Sequence, residues 1–356
     1  MGGEERNILD ILEDYGRRIT EEIEKLIPKK VDEESLSKLI GKPLFKYEPE
    51  SINKSILEPF WDLISRGGKR WRPALMIIVY EALDGKIEDI LPLTVIPEVI
   101  HNGTLVVDDV EDESDYRRGK PCIHKTYGVD IAINMGNTMY FLPLLTLSKI
   151  NLSDDKKLRI LQEYVKTMIE LSIGQAMDIA WHRGMIDDIT EEQYMQMTLF
   201  KTGALARLSV KIACIIADTP REIEEKITRF SETLAVAFQI QDDILNIIGE
   251  ESKYGKEIGG DIKEGKRTLL VVKALRILPR HKAERLREIL KLRTNHEDLI
   301  REAINLLKES GSIDYARKIC VELVSKAWNE LDKVLPNSQA KEKLKALANF
   351  LIFREF

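Results

Sequence analysis

The chain has 356 residues, of which 44% are hydrophobic and 32% charged, and this composition is typical of a globular protein rather than a disordered one. Its formal net charge of −6 argues against a nucleic-acid-binding surface, which carries a basic excess. Three scattered cysteines (Cys122, Cys214 and Cys320) form no CxxC pair and indicate neither a disulfide framework nor a zinc site. The N-terminus lacks the order of a signal peptide, and no uncharged apolar run reaches the length of a membrane span. These features predict a soluble, cytoplasmic protein that does not span a membrane.

The sequence pattern up to Gly68 predicts a helix, a loop and a second helix. Apolar residues three or four positions apart predict an amphipathic helix within residues 1–30, a candidate for a peripheral element. Pro28 ends that helix, and the prolines of residues 41–50 indicate a loop. The next helix is broken at Gly67 and Gly68.

The remainder of the chain predicts helices and no strand. Helical periodicity predicts five long helices, over residues 97–111, 130–150, 155–182, 190–217 and 221–248. Pro92 and Pro97 indicate that the first of these begins late or is kinked. Residues 249–267 indicate a polar loop, and shorter helices follow over 268–352. The predicted fold is therefore all-α, with one helical domain over residues 31–356.

Two acidic motifs lie at the ends of predicted helices. Asp108 and Asp112 are one helical turn apart and share a face, directly after an apolar run. Acids at the C-terminal end of a helix oppose its dipole, and a magnesium ion bound through carboxylates would compensate. Taken alone, such a run is more often a solvated acidic turn. The second motif, Asp242-Asp243, sits in an apolar helix where carboxylates are costly to bury without a partner. Two acidic patches on facing helices would form a metal site.

Basic groups alternate with these acids along the chain. Residues 67–73 (Gly-Gly-Lys-Arg-Trp-Arg-Pro) place cations at a helix N-terminus, and residues 117–121 (Arg-Arg-Gly-Lys-Pro) follow the first acidic motif. Lys256, Lys266 and Arg267 follow the second. Each group alone is more often a solvated basic turn, but their alternating order suits a metal-bound diphosphate and a second anion bound without metal.

These residues resemble the motifs of the trans-type polyprenyl diphosphate synthases, the family of farnesyl and geranylgeranyl diphosphate synthases. Residues 108–121 match its DDxxD motif and the RRGxP motif that follows, and residues 67–73 match GGKxxRP. The remaining matches are GQxxD (Gly174, Gln175, Asp178), the KT pair (Lys201, Thr202), FQxxDD (Gln239, Asp242, Asp243) and a GK…D…K loop (Gly255, Lys256, Asp261, Lys266).

The resemblance implies an isoprenoid synthase bundle with a central active-site cavity, which condenses isopentenyl diphosphate with an allylic diphosphate. It implies magnesium, with three ions accompanying the bound diphosphate, and a homodimer. The implied metal ligands are Asp108, Asp109, Asp112, Asp242 and Asp243, with Asp178 and Asp261 as further ligands or holders of metal-bound water. Arg117, Lys201, Lys256 and Lys266 would bind the allylic diphosphate. Lys69, Arg72, His101 and Arg118 would bind isopentenyl diphosphate. Lys201, Thr202 and Gln239 would stand near the cationic carbons.

Asn246 departs from the family pattern, because the second motif is often DDxxD and an amide brings no negative charge. Two other interpretations stay open. A class I terpene cyclase would need an N/DxxSxxxE motif, which does not follow Gln241, and a non-catalytic synthase subunit would usually have lost its acidic motifs.

Product length is predicted from the positions four and five before Asp108, where the resemblance places a gate. Thr104 and Gly103 stand there, without the aromatic residue of farnesyl synthases. An open gate predicts the twenty-carbon geranylgeranyl diphosphate, with products of twenty-five to thirty carbons or more as the alternative. Met135, Met139 and Leu142 are candidates for the floor of the tunnel by spacing alone. Glycine in a helix also permits close helix packing, which is the alternative explanation for Gly103.

Overall fold

A computed structural model describes residues 2–249 and 258–353, and within these ranges the chain is almost wholly helical. The α-helices, in chain order, are α1 (Gly2–Leu26), α2 (Glu33–Ile40), α3 (Pro49–Ile52), α4 (Glu58–Ser65), α5 (Trp71–Ala82), α6 (Ile87–Ile90), α7 (Val95–Glu111), α8 (Ile123–Tyr127), α9 (Val129–Phe141), α10 (Thr146–Lys149), α11 (Asp154–His182), α12 (Glu191–Thr198), α13 (Ala204–Ile216), α14 (Arg221–Ile248), α15 (Gly260–Glu264), α16 (Leu269–Ile277), α17 (Arg280–Leu292), α18 (Glu297–Ser310), α19 (Ser312–Asp332) and α20 (Gln339–Phe353).

Short non-α segments join some of these helices. Two 3₁₀ turns, Leu91–Thr94 and Leu142–Leu145, precede α7 and α10, and each contains a proline. Two π-helical turns, Asn53–Leu57 and Leu199–Gly203, lie before α4 and α13. Among the described residues, the strands are β1 (Tyr116–Arg117) and β2 (Lys120–Pro121), which pair antiparallel.

The all-α prediction is confirmed, and the predicted long helices correspond to α7, α9, α11, α12 with α13, and α14. A 3₁₀ turn that contains Pro92 precedes α7, which begins at Val95, two residues before its predicted start, with Pro97 in its first turn. Several features differ from the prediction. The helix predicted over 130–150 is divided by the 3₁₀ turn Leu142–Leu145, and α15 lies within the polar loop predicted over 249–267. The hairpin β1–β2 lies where no strand was predicted, and a π turn interrupts the helix predicted over 190–217.

The chain contacts divide it into two units. One unit comprises residues 9–77 and 86–153, and in it α7 packs along α9. Its core includes the apolar face of α1, where Leu12, Tyr15, Ile19 and Ile23 are buried. The N-terminal helix thus contributes core residues, although the sequence marks it as a candidate peripheral element.

The other unit comprises residues 1–8, 78–85 and 154–356. Here α13 packs on both α11 and α14, and α14 runs along α19. Helix α13 is buried on nearly all faces, as its uniformly apolar sequence predicts. Helix α14 carries the second acidic motif, and the π turn before α13 carries the Lys201-Thr202 pair.

One stretch, residues 87–111, has the length and hydropathy of a membrane span, with a mean hydropathy of 1.5. It contains charged residues, among them Glu98, and so is not an uncharged apolar run. Since 72% of its apolar window is buried within the protein, its environment is that of a core helix.

Candidate active site

The first acidic motif occupies the C-terminal end of α7. Asp108 is half-buried, whereas Asp109 is only 2% exposed and Asp112 is 7% exposed. Asp112 caps the helix, and its backbone N–H donates to the carbonyl of Asp108 at 2.8 Å. The side chains of Asp108 and Asp112 therefore leave the same end of the helix one turn apart, as their spacing predicts.

Asp109 is engaged by the hairpin that follows the motif. Nε of Arg117 donates to both carboxylate oxygens of Asp109, at 3.0 and 3.1 Å, and a second guanidinium nitrogen also donates to Oδ1. Burial lowers the pKa of Arg117, but the charge and hydrogen bonds of Asp109 outweigh burial and raise that pKa overall. These contacts favour a positioning role for Asp109 over direct metal ligation, which stays a prediction.

The basic turn of residues 67–70 joins α4 to α5 and brings predicted anion ligands to one helix start. Arg72, in the first turn of α5, is 7% exposed, and Lys69 is half-buried. The guanidinium of Arg72 lies 3.3 Å from Nε2 of His101 on α7. The structure thus brings together Arg72 and His101, which the resemblance assigns to isopentenyl diphosphate, and that assignment stays a prediction.

Arginines gather around Arg118, the second arginine of the hairpin. Burial lowers the pKa of Arg118, and the neighbouring guanidinium groups of Arg117, Arg70 and Arg66 lower it further, against a raising effect of Glu98. Gly68 makes this approach possible, because a Cβ there would lie 3.0 Å from the Arg118 guanidinium and its φ is +133°. Like charges held this close, in a partly buried position, indicate a site that receives an anion.

In the other unit, a carboxylate of α11 binds two lysines. Oδ2 of Asp178 accepts hydrogen bonds from Nζ of Lys201 at 2.5 Å and from Nζ of Lys266 at 3.1 Å. Lys201 lies in the π turn that precedes α13, and π turns are frequent at functional sites. The turn fits against Gly174, where a Cβ would lie 2.6 Å from the backbone nitrogen of Lys201. Gly174, Asp178 and Lys201 therefore form one structural unit of the GQxxD and KT motifs.

The second acidic motif contains one half-buried and one buried carboxylate. Asp242 is half-buried, whereas Asp243 is 5% exposed. The hydroxyl of Tyr194 donates to Oδ2 of Asp243 at 2.6 Å, and Nε2 of Gln239 donates to Oδ1 at 3.0 Å. Gln239 in turn accepts from the hydroxyl of Thr202 at 3.1 Å. This chain of hydrogen bonds fixes Gln239 and Thr202, and it favours a supporting role for Asp243.

The environment of Asp243 raises its pKa to about 7. Burial is the main cause, and the charges of Asp242 and Asp178 add to it, while the hydrogen bonds from Tyr194 and Gln239 oppose it. Sequence reasoning missed Tyr194, because a buried tyrosine on an amphipathic helix has no distinguishing pattern.

Asn246, the departure from the family pattern, has a structural role. Its side-chain oxygen accepts from the backbone N–H of Asp261 at 3.0 Å, and its carbonyl accepts from the N–H of Gly259 at 2.8 Å. Both contacts fix the start of α15, which carries Asp261. Lys256, predicted to bind the allylic diphosphate, lies outside the described residues.

The two residues of the predicted product-length gate have different surroundings in the structure. Gly103 is buried against α9, and a Cβ there would lie 2.9 Å from Cβ of Met139 and 3.1 Å from the carbonyl oxygen of Gly136. This contact favours the packing explanation for Gly103. Thr104 is half-buried, with its hydroxyl donating to the carbonyl of His101 at 2.7 Å.

The acidic residues fit magnesium that arrives with a phosphate ligand. Among residues 2–249 and 258–353, no three His, Cys, Asp or Glu side chains are arranged to hold a metal ion on protein ligands alone. Magnesium does not need such a set, because it keeps several waters and binds through one or two carboxylates plus substrate phosphates. The half-buried Asp108 and Asp242, with Asp112, have this hard-oxygen chemistry.

Comparison with known proteins gives a consistent result. A sequence model of the family described as polyprenyl synthetase matches residues 53–307. The short chain isoprenyl diphosphate synthase of Methanocaldococcus jannaschii is 40% identical over 256 residues, which cover 72% of this chain and 76% of that protein. The geranylgeranyl pyrophosphate synthase of Geoglobus acetivorans is 30% identical and covers 98% of this chain and 99% of its own. The crystal structure of geranylgeranyl pyrophosphate synthetase from Pyrococcus horikoshii superposes with a TM-score of 0.80 at 34% identity, covering 96% of this chain and 99% of the other.

Proposed function

The chain belongs to the polyprenyl synthetase family, and from that premise we propose that it is a trans-prenyltransferase that condenses isopentenyl diphosphate with an allylic diphosphate. Geranylgeranyl diphosphate is the proposed product, and a longer polyprenyl diphosphate of twenty-five to thirty carbons is the alternative. The names of the relatives support the shorter product. Thr104, which is not aromatic, also argues against a limit of fifteen carbons.

The observation that carries the proposal is the arginine cluster beside the first acidic motif. Arg66, Arg70 and Arg117 each lower the pKa of Arg118, and Asp108 and Asp112 lie at the C-terminal end of α7 in the same unit. Carboxylates that attract a divalent cation and the Arg118 guanidinium, which attracts an anion, thus stand in one unit. A diphosphate with bound magnesium would bind to both the carboxylates and the guanidinium. A second diphosphate would bind to the cations of the basic turn.

Each group has a defined task in the proposed reaction. Asp108 and Asp112 in one unit, and Asp242 in the other, are the residues proposed to bind magnesium, which when bound supplies Lewis-acid stabilisation to a departing diphosphate. Lys201 and Lys266, which both donate to Asp178, would contribute positive charge to neutralise a departing diphosphate. The carbon–oxygen bond of the allylic substrate breaks, the double bond of isopentenyl diphosphate attacks the resulting cation, and the released diphosphate accepts the proton that the adduct loses. Thr202 and Gln239, fixed through Asp243, would provide the oxygen atoms near the cation.

Substitutions in the basic turn test the assignment of the two diphosphate sites. Lys69→Ala and Arg72→Ala should raise the KM for isopentenyl diphosphate about tenfold, or about 1.4 kcal/mol, and change the KM for the allylic substrate far less. Lys54→Ala is a suitable control, because Lys54 is an exposed lysine of the same unit. Equal increases in both KM values would show that the two sites are assigned wrongly.

We also propose that the enzyme is a homodimer, and the outer face of α11 supports this. Five apolar side chains at helical spacing are between 40% and 56% exposed on that helix: Leu158, Leu161, Val165, Ile169 and Ile173. An apolar stripe of this kind on a long helix is typical of an interface. Multi-angle light scattering should give twice the chain mass of 40.9 kDa, and Val165→Glu with Ile169→Glu should shift the protein to monomer. A wild-type monomer at micromolar concentration would refute the proposal.

A further inference from the structure

Arg70 has an unusual backbone conformation within the basic turn. Its φ is +44°, in the left-handed region that residues other than glycine rarely adopt, and it follows Gly67 and Gly68 with φ of +80° and +133°. Its carbonyl oxygen accepts from the N–H of Ala74 at 3.1 Å, which closes the first turn of α5. Arg70 therefore sets the path of the chain between Lys69 and the start of the helix that carries Arg72. Such a conformation persists only where the surroundings fix it.

The side chain of Arg70 contacts two helices, α1 and α7, at residues that have no part in the proposed reaction. Its guanidinium donates to the carbonyl oxygen of Gly16 and to the hydroxyl of Thr20, both on α1. Nε lies 3.5 Å from Oε1 of Glu98 on α7, and the two side chains are only 8% and 3% exposed. Gly16 leaves room for this contact, since a Cβ there would lie 3.8 Å from Cδ of Arg70.

Glu98 is itself held in place, so the contact has a defined geometry. The side-chain nitrogen of Asn102 donates to Oε1 of Glu98 at 3.0 Å and to its carbonyl oxygen at 2.8 Å. Asn102 precedes the predicted gate and directly follows His101, the partner of Arg72. Removing one partner of a buried ion pair is strongly destabilising, because it leaves the other charge buried without compensation. The tether of Arg70 thus connects α1 and α7 to the turn that carries Lys69.

We propose that Arg70 is a positioning residue for the isopentenyl diphosphate site and that the N-terminal helix α1, through Gly16 and Thr20, is part of that site's support. This inference rests on the proposed function. Arg70 acts through Lys69 and Arg72, because its own guanidinium is engaged by α1 and Glu98. Loss of the tether lets the turn leave the left-handed conformation, and Lys69 and Arg72 then lose their common orientation.

The chain offers a matched control for this proposal. Arg18, also on α1, pairs with Glu88 of α6 at 3.0 Å, and that glutamate is 70% exposed. Arg18→Met and Arg70→Met each remove an ion pair between an arginine and a glutamate. The pair of Arg18 links α1 to α6, and the pair of Arg70 links the basic turn to α7. Only Arg70→Met removes a tether of the basic turn.

The experiment compares KM for isopentenyl diphosphate and for the allylic substrate in Arg70→Met, Arg70→Lys, Thr20→Val and Arg18→Met. Arg70→Met should raise the KM for isopentenyl diphosphate about tenfold with little change in the allylic KM. Arg70→Lys should recover part of the loss, Thr20→Val should shift the same constant in the same direction, and Arg18→Met should leave both constants unchanged. A purely structural Arg70 would lower thermal stability without this split between substrates, and that outcome would overturn the proposal.

Two further measurements keep the result interpretable. If Arg70→Met does not fold, Thr20→Val alone decides, because it removes one hydroxyl and leaves the buried ion pair intact; an unchanged KM there would contradict the role of α1. Calorimetric binding of isopentenyl diphosphate separates this inference from the proposed function. A wild-type chain that binds isopentenyl diphosphate but does not condense it would refute the proposed function, and weaker binding by the Arg70 variants would still support the positioning role. A wild-type chain that does not bind it would overturn both.

Discussion

Asp108→Ala and Asp242→Ala should each lower turnover roughly 10²–10³-fold while the chain remains folded. Both carboxylates are half-buried, and both belong to acidic motifs whose chemistry suits magnesium with a diphosphate. Removing either would leave charge on the departing diphosphate uncompensated. Steady-state kinetics at saturating magnesium measures the turnover, and far-ultraviolet circular dichroism shows whether each variant is folded.

The neighbouring carboxylates provide an internal contrast. Asp109 and Asp243 are buried and accept hydrogen bonds from Arg117 and from Tyr194 with Gln239. Their replacement by alanine should lower thermal stability as well as turnover, because it leaves buried donors without acceptors. Glu113→Asn is the control, since Glu113 is an exposed acid one residue beyond the first motif. Near-normal turnover in Asp108→Ala or Asp242→Ala would remove the metal-binding role from that motif.

Gly174→Ala should disturb the π turn that carries Lys201 and Thr202. The added Cβ would lie 2.6 Å from the backbone nitrogen of Lys201 and 2.9 Å from Cβ of Phe200, and backbone atoms cannot yield as a flexible side chain can. The π turn Leu199–Gly203 must then move, and it carries Lys201 and Thr202 with it. We expect a stability loss of about 1–3 kcal/mol from the overpacking and a fall in kcat of about 10²-fold from misplaced groups.

Thermal unfolding and kcat of Gly174→Ala test this expectation together. Ser172→Ala is the matched control, because Ser172 is exposed on the same helix and its hydroxyl donates only to the carbonyl of Met168. Alanine at position 174 also raises helix propensity, by about 1 kcal/mol relative to glycine. A more stable and fully active Gly174→Ala protein would therefore show that the close contact between position 174 and the π turn is not required for activity.

The sequence predicts the helices well because apolar periodicity is a local property. It predicts α7, α11 and α14 nearly to their ends, since prolines and polar residues bound each apolar run. It does not predict the hairpin β1–β2, whose strands of two residues are too short for an alternating pattern. It also cannot show the π turn before α13, because the register change depends on the close approach of Gly174.

The candidate site illustrates the same limit at the level of side chains. Asp108 and Asp109 are adjacent and chemically identical, and only the hairpin contact of Arg117 separates a half-buried carboxylate from a buried one. Asp242 and Asp243 differ in the same way through Tyr194, which is distant in sequence. The sequence alone cannot explain Gly103, because a glycine in a helix is compatible with an open gate or with close packing. Only the position of the neighbouring helix distinguishes the two.

Product analysis of the purified 356-residue chain is the most direct test of the proposed prenyltransferase activity. The chain is incubated with magnesium, dimethylallyl diphosphate and labelled isopentenyl diphosphate, and the dephosphorylated products are separated by chromatography. We expect linear prenyl alcohols with the twenty-carbon alcohol dominant, and a dominant alcohol of twenty-five or more carbons would correct the product length alone. Absence of condensation, or a cyclic hydrocarbon in place of linear alcohols, would contradict the assignment of this chain as a prenyl diphosphate synthase.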